Sequence, residues 1–277
     1  MRFDVHRRLL AQFTIMSIRF RYDTLFLGLV LLTPALALDA QQAPQAKPQD
    51  TEVWTPEPKV VTPGAAIGAA PSDAIVLFDG KSLDEWVSTR DKSPAAWTVA
   101  DGVLTVNKKA GNIETKRRFR NYQLHLEWQI PADIGVEGQS RGNSGLFLAS
   151  TGGGDAGYEL QILDSFNNKT YANGQAGSIY KQAIPLANAM RKPGEWQVYD
   201  LVWTAPTFNA DGTVKTPASV TVFHNGVLIQ NNFNLKGETL YIGPPTYKVF
   251  DGAPIKLQSH NDPSKPISFR NIWLREL

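Results

Sequence analysis

Short apolar runs, each closed by a turn signal, fill the chain from Ala74 onward, and no segment of helical period exceeds about ten residues. Residues 124–130 alternate strictly between apolar and polar side chains, which is the period of a strand with one buried face. Residues 219–224 lead into Asn225-Gly226 and a second apolar run, and Asn-Gly accepts the positive φ angles of a type I′ hairpin. The pattern predicts a mostly antiparallel, all-β domain.

Further short strands follow from the same pattern, with Asp-Gly turns at residues 79–80, 101–102 and 211–212 between some of them. They are predicted at residues 75–78, 97–99, 103–106, 145–149, 158–163, 197–203, 255–258 and 267–274. Ten or more strands in about 200 residues favour one large sandwich over two small domains. A chain of 277 residues can bury such a core.

The chain has no cysteine, which excludes a disulfide scaffold, a thiol nucleophile, thiolate-bound zinc and an iron–sulfur cluster. Setting aside the five arginines and three aspartates of residues 1–40 leaves 23 basic and 23 acidic side chains in residues 41–277. This balance gives no electrostatic support for binding nucleic acid or an anionic membrane surface.

Residues 1–40 resemble a secretory signal peptide, with Met16 as an alternative start. Arg19 and Arg21 precede an apolar run that ends in small residues, a run too short to span a bilayer comfortably. An uncleaved membrane anchor is the alternative. Residues 41–73 are rich in Pro, Ala and Gln and predict a linker or an extended arm before the domain at residues 74–277. We therefore expect a periplasmic or secreted protein without an integral membrane domain after cleavage.

One predicted strand carries acids that could perform chemistry. Glu159 and Gln161 share a face of residues 158–163, opposite to apolar side chains. Asp164 lies five residues after Glu159, so both carboxylates can line one cleft only if a bulge intervenes or the strand ends first. The order of these residues resembles the catalytic strand of sandwich-fold β-glucanases, which have a second acid at the position of Gln161. The alternative for Asp164 is a turn-capping role.

Polar side chains on other predicted strands could complete a site. Lys256, Gln258 and His260 share one strand face, and an imidazole suits proton transfer near neutral pH. Glu127 lies on a polar face that is either a binding surface or solvated. Asn143 and Ser144 stand beside glycines, where they could bind sugar hydroxyls or stabilise a turn.

Six motifs follow one another in order with suitable gaps. They are Leu77-Phe78-Asp79-Gly80-Lys81-Ser82-Leu83-Asp84-Glu85-Trp86, Asn143-Ser144-Gly145-Leu146-Phe147-Leu148, Tyr158-Glu159-Leu160-Gln161-Ile162-Leu163-Asp164, Gly177-Ser178-Ile179-Tyr180, Pro193-Gly194-Glu195-Trp196 and Phe269-Arg270-Asn271-Ile272. Together they resemble the 3-keto-disaccharide hydrolase family, also called domain of unknown function 1080. The resemblance implies a concanavalin A-like (laminin G-like) β-sandwich or jelly roll, in an exported bacterial enzyme that acts on glycosides with a ketone at C3.

The chain departs from this family at three positions. The family has Leu-Gln-Asp-His-Gly near the carboxyl end, where this chain has Ser259 in place of the acid and Asn261 in place of the glycine. A serine would orient the adjacent imidazole less well than a carboxylate would. Lys181 stands where a glycine commonly follows the tyrosine, and it could narrow the cleft or supply a charge.

A ketone at C3 acidifies the hydrogen at C2, so the chemistry implied is proton abstraction, elimination of the C1 oxygen and addition of water. The catalytic candidates are Glu159 or His260 as the base, with Asp164 as the other proton-transfer group. The candidates for binding the oligosaccharide or glycoside are Glu127, Asn143, Ser144, Gln161, Tyr180, Lys181 and Gln258. A divalent cation at the enolate stays open, because no metal-ligand spacing is recognisable.

Two alternatives come from other functional classes. A retaining glycosidase would use Glu159 and Asp164 about 5 Å apart and would cleave sugars without a ketone. A lectin-like binding module would stack exposed aromatic side chains on sugar faces and would release nothing.

Overall fold

The computed structural model describes residues 45–277, and a compact unit extends from Pro58 to Leu277. The described residues before Pro58 belong to a separate unit and contain one 3₁₀ turn, Pro48–Thr51. The predicted signal peptide and the first four residues of the predicted linker lie outside the described part of the chain. Between residues 45 and 277 no helix has the length and apolar character needed to cross a membrane.

Fifteen strands form the described fold, and all the pairings between them are antiparallel. They are β1 (Ile75–Phe78), β2 (Trp86–Ser88), β3 (Thr98–Ala100), β4 (Val103–Thr105), β5 (Ile113–Thr115), β6 (Tyr122–Gln129), β7 (Ser144–Ser150), β8 (Gly157–Ile162), β9 (Trp196–Thr204), β10 (Thr207–Phe208), β11 (Val214–Thr216), β12 (Ser219–His224), β13 (Val227–Asn234), β14 (Lys256–Leu257) and β15 (Ser268–Glu276). Two further 3₁₀ turns are Gly138–Ser140 and Ala172–Gly174. The predicted all-β sandwich of the jelly-roll type is confirmed.

The larger sheet has eight strands in the order β13-β12-β9-β6-β15-β4-β3, with β1 also paired to β15. Its long strands bury alternate residues, as the alternating sequence of residues 124–130 predicts. At the predicted hairpin between β12 and β13, Asn225 and Gly226 both have positive φ angles, of 51° and 81°. These are the angles that a type I′ turn requires.

The smaller sheet has five strands in the order β2-β5-β14-β7-β8. Every residue of β7 and β8 is buried, so this sheet is covered on both faces. One face packs on the sandwich core, and Tyr199 from the larger sheet donates a hydrogen bond across that core to the Gln161 carbonyl at 2.8 Å. The other face is covered by loops, among them the backbone bridge between Leu160 and Ile179. The space between that face and its loops is where a site can form.

Part of the predicted linker lies on the larger sheet. The Gly68 carbonyl accepts hydrogen bonds from Asn271 at 2.8 Å and from the Trp273 indole at 2.9 Å. Asp73 forms a bidentate ion pair with Arg275 at 2.7 and 2.8 Å. The extended-arm alternative therefore describes residues 68–73 better than a free linker does.

Candidate active site on the five-stranded sheet

A row of side chains crosses the smaller sheet on the face away from the core. Glu114 of β5 pairs with Lys256 of β14, Lys256 pairs with Phe147 of β7, and Phe147 pairs with Glu159 of β8. Residues directly opposite in antiparallel strands point to the same face of the sheet. The next residues along these strands, such as Leu257, point the other way and join the sandwich core. The strand alternation therefore places two acids and a lysine together in a buried row.

A second row lies beside the first and contains Gln161 and Gly145, which face each other across β8 and β7. Gly145 leaves the space that the Glu159 carboxylate fills, because a Cβ atom at position 145 would lie 2.4 Å from Glu159 Oε1. The φ angle of Gly145 is not positive, so the glycine is required by this contact rather than by its backbone conformation.

We expect Gly145→Ala to displace the Glu159 carboxylate while the strand keeps its backbone. If Glu159 performs the chemistry, kcat should fall by about 100-fold, since a displacement of about 1 Å can cost that much. The melting temperature should change little, because the end of a flexible side chain can give way. Steady-state kinetics and thermal unfolding of this variant check both expectations, and unchanged kcat would show that the position of the carboxylate does not matter.

Glu159 of the first row and Gln161 of the second row line one pocket. Its lining residues are Asn143, Asp155, Glu159, Gln161, Tyr180, Thr239, Tyr241, Gln258 and His260. Six of the ten predicted site residues meet here: Glu159, His260, Asn143, Gln161, Tyr180 and Gln258. The alternation of β8 and of the segment around β14 predicts the two glutamines and Glu159 on this face, and the structure places them together.

Two amide oxygens of the pocket have no hydrogen-bond partner among the described residues. They are Gln161 Oε1 and Gln258 Oε1, and both atoms are buried. The Gln161 amide nitrogen donates to the Asn143 side chain at 3.3 Å and to the Gly174 carbonyl at 3.2 Å, which fixes its orientation. A buried acceptor without a donor is costly. The pocket is therefore built to receive donors such as sugar hydroxyls.

Glu159 is the buried acid of the pocket, with 7% of its surface exposed. The pKa of its carboxyl group is raised to about 8: desolvation raises it most, the neighbouring Asp155 also raises it, and Lys256 lowers it. A carboxylate with a pKa near 8 is a stronger base than an ordinary glutamate, and it still ionises in part at neutral pH. The environment of Glu159 thus suits proton abstraction from carbon.

His260 lines the same pocket, and a carboxylate outside the pocket lining orients its ring. Its Nδ1 atom lies 3.0 Å from Asp262 Oδ2, and its Nε2 atom lies 3.3 Å from the Asn143 amide nitrogen. Asp262 is itself held by Lys108 at 3.1 Å. The carboxylate that position 259 lacks is thus supplied by Asp262, two residues after His260, and it orients the imidazole in the way a general acid or base requires.

Lys256 lies fully buried between the two glutamates of the first row. Its ammonium donates to the Gly154 carbonyl at 2.9 Å and to the Ala156 carbonyl at 2.7 Å, and it lies 4.4 Å from the centre of the Phe147 ring. Desolvation lowers its pKa to about 8. Lys256 therefore holds the loop that carries Asp155 to the rim of the pocket, and it places a positive charge near Glu159.

Lys181 does not line the pocket, although it supports one wall. Its ammonium donates to the Tyr241 carbonyl at 2.6 Å and lies 4.2 Å from the centre of the Tyr241 ring. Tyr180 in that wall shares a hydrogen bond with the Tyr171 hydroxyl at 2.9 Å. Burial raises the pKa of the Tyr180 hydroxyl, so it stays a neutral donor. The predicted substrate contact by Lys181 is thus replaced by a role in holding Tyr241.

Asp164 and Ser144 lie outside the pocket, unlike their predicted positions. The strand β8 ends before Asp164, whose buried carboxylate lies 2.8 Å from Arg141 Nε and accepts the Phe166 backbone N–H at 3.0 Å. The turn-capping alternative describes this aspartate. Ser144 donates to the Gln258 carbonyl at 2.8 Å and so ties two strands of the sheet together.

Glu127 belongs to the other sheet and does not line this pocket either. It forms an ion pair with Arg270 at 2.6 Å and accepts a hydrogen bond from Asn271 at 2.8 Å. The neighbouring His125 packs under Gly68 of the arm. The polar face that the sequence offered as a binding surface is therefore used to dock residues of the chain itself.

Sequence analysis missed Asp155, Thr239 and Tyr241 as lining residues. Asp155 follows three glycines that suggest only a flexible loop, and Thr239 and Tyr241 lie in a segment without strand pattern. Within residues 45–277 no group of three or more His, Cys, Asp or Glu side chains could hold a metal ion.

An antiparallel β-sandwich with a polar pocket on one sheet, lined by amides, carboxylates, tyrosines and an imidazole, is typical of carbohydrate-active proteins. The chain belongs to the family of 3-keto-alpha-glucoside-1,2-lyase-like domains, whose model matches residues 73–275. This confirms the resemblance that the six motifs indicate.

Solved structures agree with this assignment. A candidate glycosyl hydrolase from Parabacteroides distasonis ATCC 8503 is 56% identical, with a TM-score of 0.78 over 83% of this chain and 97% of that chain. A second candidate glycosyl hydrolase from that organism is 21% identical, with a TM-score of 0.54 over 74% of this chain and 94% of that one, and shows the fold alone. No curated protein sequence matches the chain.

Proposed function

We propose that this protein cleaves 3-keto-glycosides by abstraction of the C2 proton, elimination of the C1 oxygen and hydration of the product. The observation that carries the proposal is the buried Glu159 carboxyl with a pKa of about 8, in one pocket with the oriented imidazole of His260. A hydrogen next to a ketone is weakly acidic, so its removal needs a strong base and a stabilised enolate. An ordinary glycoside offers no such hydrogen.

Glu159 is the base in this scheme. Its carboxylate takes the proton from C2, and the electron pair left on C2 forms an enolate with the C3 oxygen. The enolate then collapses to restore the ketone and form a double bond between C1 and C2, while the bond from C1 to the leaving oxygen breaks. Neutral hydroxyl and amide donors such as Tyr180 and Asn143 stand in the pocket to stabilise the enolate oxygen.

His260 is the acid in this scheme. It gives a proton to the leaving oxygen, and Asp262 stabilises the imidazolium that precedes this step. Water then adds across the double bond, with hydroxide at C1 and a proton at C2, and the free 3-keto sugar results. This assignment replaces the predicted role of Asp164, which does not line the pocket.

The test compares a glycoside with its 3-keto derivative, each with and without chelator, and follows release of the leaving group. We expect release from the keto form alone. Chelator sensitivity would reveal a cation at the enolate. Release from both glycosides would instead identify a glycosidase, and binding without release from either would identify a lectin-like module.

We expect His260→Gln to lower kcat by an amount that depends on the basicity of the leaving group. With an alkoxide leaving group, kcat should fall by about 100-fold or more, because the departing oxygen needs a proton. With a nitrophenoxide leaving group the loss should be much smaller. The measurement is kcat for a series of 3-keto-glycosides whose leaving groups differ in basicity, and an equal loss across the series would exclude His260 as the acid.

We also propose that residues 1–40 direct export and are removed, which rests on their sequence pattern alone. Expression of the full chain in a bacterial host, followed by fractionation and amino-terminal sequencing, tests this. A mature terminus after Ala37 or Ala40 in the periplasm or medium supports export, and an intact terminus in the membrane fraction would identify an anchor.

A further inference from the structure

A groove adjoins the active-site pocket on the side of His260. Its lining residues are Thr89, Arg90, Lys108, Lys109, Gly111, Asn112, Gly154, Asp155, Ser259, His260 and Asn261. The groove shares the lining residues Asp155 and His260 with the pocket, so the two spaces adjoin at the group that we propose protonates the leaving oxygen. A leaving group that departs past His260 would therefore enter the groove.

The sizes of the two spaces support this division. The pocket has a volume of about 150 Å³ and the groove one of about 720 Å³. Pockets for drug-sized ligands have volumes of about 300–1,000 Å³. The pocket is thus too small for a whole disaccharide or aryl glycoside, whereas the groove has room for the leaving group.

The groove carries an excess of positive charge. Among the described residues, neither Arg90 nor Lys109 is in an ion pair with a carboxylate. Lys108 is neutralised by Asp262, so Asp155 is the acid that opposes these two cations in the lining. One net positive charge therefore faces the groove.

The guanidinium of the exposed Arg90 contacts the backbone of the groove. It donates to the Lys109 carbonyl at 3.3 Å and lies against the backbone of Gly111, where a Cβ atom would be 2.8 Å from its terminal nitrogen. The remaining donors of a planar guanidinium suit an oxyanion with two oxygens. Beside it in the lining, the Ser259 hydroxyl oxygen is buried and has no hydrogen-bond partner among residues 45–277.

We propose that this groove binds an anionic substituent, a carboxylate or sulfate, on the leaving group of the substrate. Arg90 and Lys109 supply the charge and Ser259 supplies a hydroxyl donor. The inference rests on the proposed function, because it assigns the leaving group of the same reaction. It predicts a preference for acidic glycosides among 3-keto substrates.

The test uses the 3-keto-glucosides of 4-hydroxybenzoate and of 4-hydroxybenzamide, which differ by one charge in leaving groups of similar size. We expect the ratio of kcat/KM, benzoate over benzamide, to be about five- to tenfold higher in the wild type than in Arg90→Gln or Lys109→Gln. This difference in ratio between the wild type and the variants should become smaller as salt is added, since exposed charges are screened. Ser259→Asp, which adds a carboxylate to the groove, should lower the ratio below that of both variants.

The matched control is Lys215→Gln, which removes an exposed cation from β11, outside the groove, and should keep the wild-type ratio. Comparing ratios between variants cancels the intrinsic difference between the two phenols. Thermal unfolding of each variant shows whether it is folded, and Lys109→Gln keeps the test valid if loss of Arg90 disturbs the loop.

The outcomes separate the two proposals. If both substrates react and the ratio is the same in wild type and variants, the anion site is wrong and the proposed function stands. If neither substrate reacts, the proposed function is wrong, and calorimetric titration with the two unoxidised glucosides decides the anion site. Tighter binding of the benzoate that is lost in Arg90→Gln would then support the site, and equal binding would overturn it.

Discussion

Glu159→Gln is expected to reduce release of the leaving group from a 3-keto-glycoside by about 1,000-fold or more, while the protein remains folded. Glutamine keeps the shape of glutamate and cannot accept the C2 proton, and loss of a general base costs about 100- to 10,000-fold. The decisive measurement is single-turnover release, together with exchange of the C2 hydrogen for deuterium in substrate left unreacted. Both should be lost in the variant.

The pH dependence of the wild type belongs to the same prediction. Because burial raises the pKa of Glu159 to about 8, the carboxylate is the minor form at neutral pH. With a nitrophenoxide leaving group, which departs without a proton from His260, a base at Glu159 should make kcat/KM rise with pH up to about 8 and then level off. A profile that instead falls through pH 8 with this leaving group would contradict the assignment of Glu159 as the base.

The stability of the Glu159 variant gives an independent control. Below about pH 4.5 the carboxyl group is protonated in both the folded and the unfolded chain. Between about pH 4.5 and 8 the unfolded chain loses the proton that the folded chain keeps, so the free energy of unfolding falls as pH rises. Glu159→Gln has no carboxyl group to titrate at this position, so its free energy of unfolding does not fall in this way. At pH 9, urea unfolding should give the variant a free energy of unfolding at least about 1 kcal/mol higher than that of the wild type.

The parts of the site that sequence predicts are those governed by strand alternation. Glu159 and Gln161 alternate with Leu160, so they had to share a face once that segment formed a strand. The same argument places Gln258 beside them. Strand alternation does not predict the position of Asp164, because the strand ends before it. Its ion-pair partner, Arg141, lies in a separate loop that only the fold brings close.

Contacts between distant segments account for the rest. Nothing near Gly68 in the sequence indicates that it would cover His125, which turns a polar strand face into a docking surface for the arm. Asp155 follows three glycines, and its place at the pocket depends on carbonyls that a lysine about a hundred residues later holds. The three-residue strands β2 and β5 were also missed, because so short a segment shows no clear period.

Lys256→Met is expected to lower activity while leaving the fold intact or more stable. The ammonium is fully buried, and desolvation lowers its pKa to about 8, which means that the folded chain is penalised for keeping the charge below that pH. Methionine fills similar space beside Phe147 without a charge to desolvate. The carbonyls of Gly154 and Ala156 that lose their donor lie in a loop that water can reach.

The activity of this variant should change with pH in a way that a purely structural residue would not cause. Lys256 lowers the pKa of Glu159, so its removal should move the rise of kcat/KM to higher pH. Activity should therefore fall about tenfold or more at pH 7, because the fraction of ionised base falls tenfold for each unit that its pKa rises, and part of that loss should return at pH 9.

A matched variant separates the charge of Lys256 from its hold on the loop. Lys92→Met removes a mostly exposed lysine that pairs with Glu114, the other acid of the same row, and should leave the pH profile in place. If Lys256→Met lowers kcat equally at every pH, the lysine acts through Asp155 and the loop alone. A shift in the profile restricted to Lys256→Met means that its charge sets the ionisation of Glu159, as expected where a buried row joins a lysine to the acid that performs the chemistry.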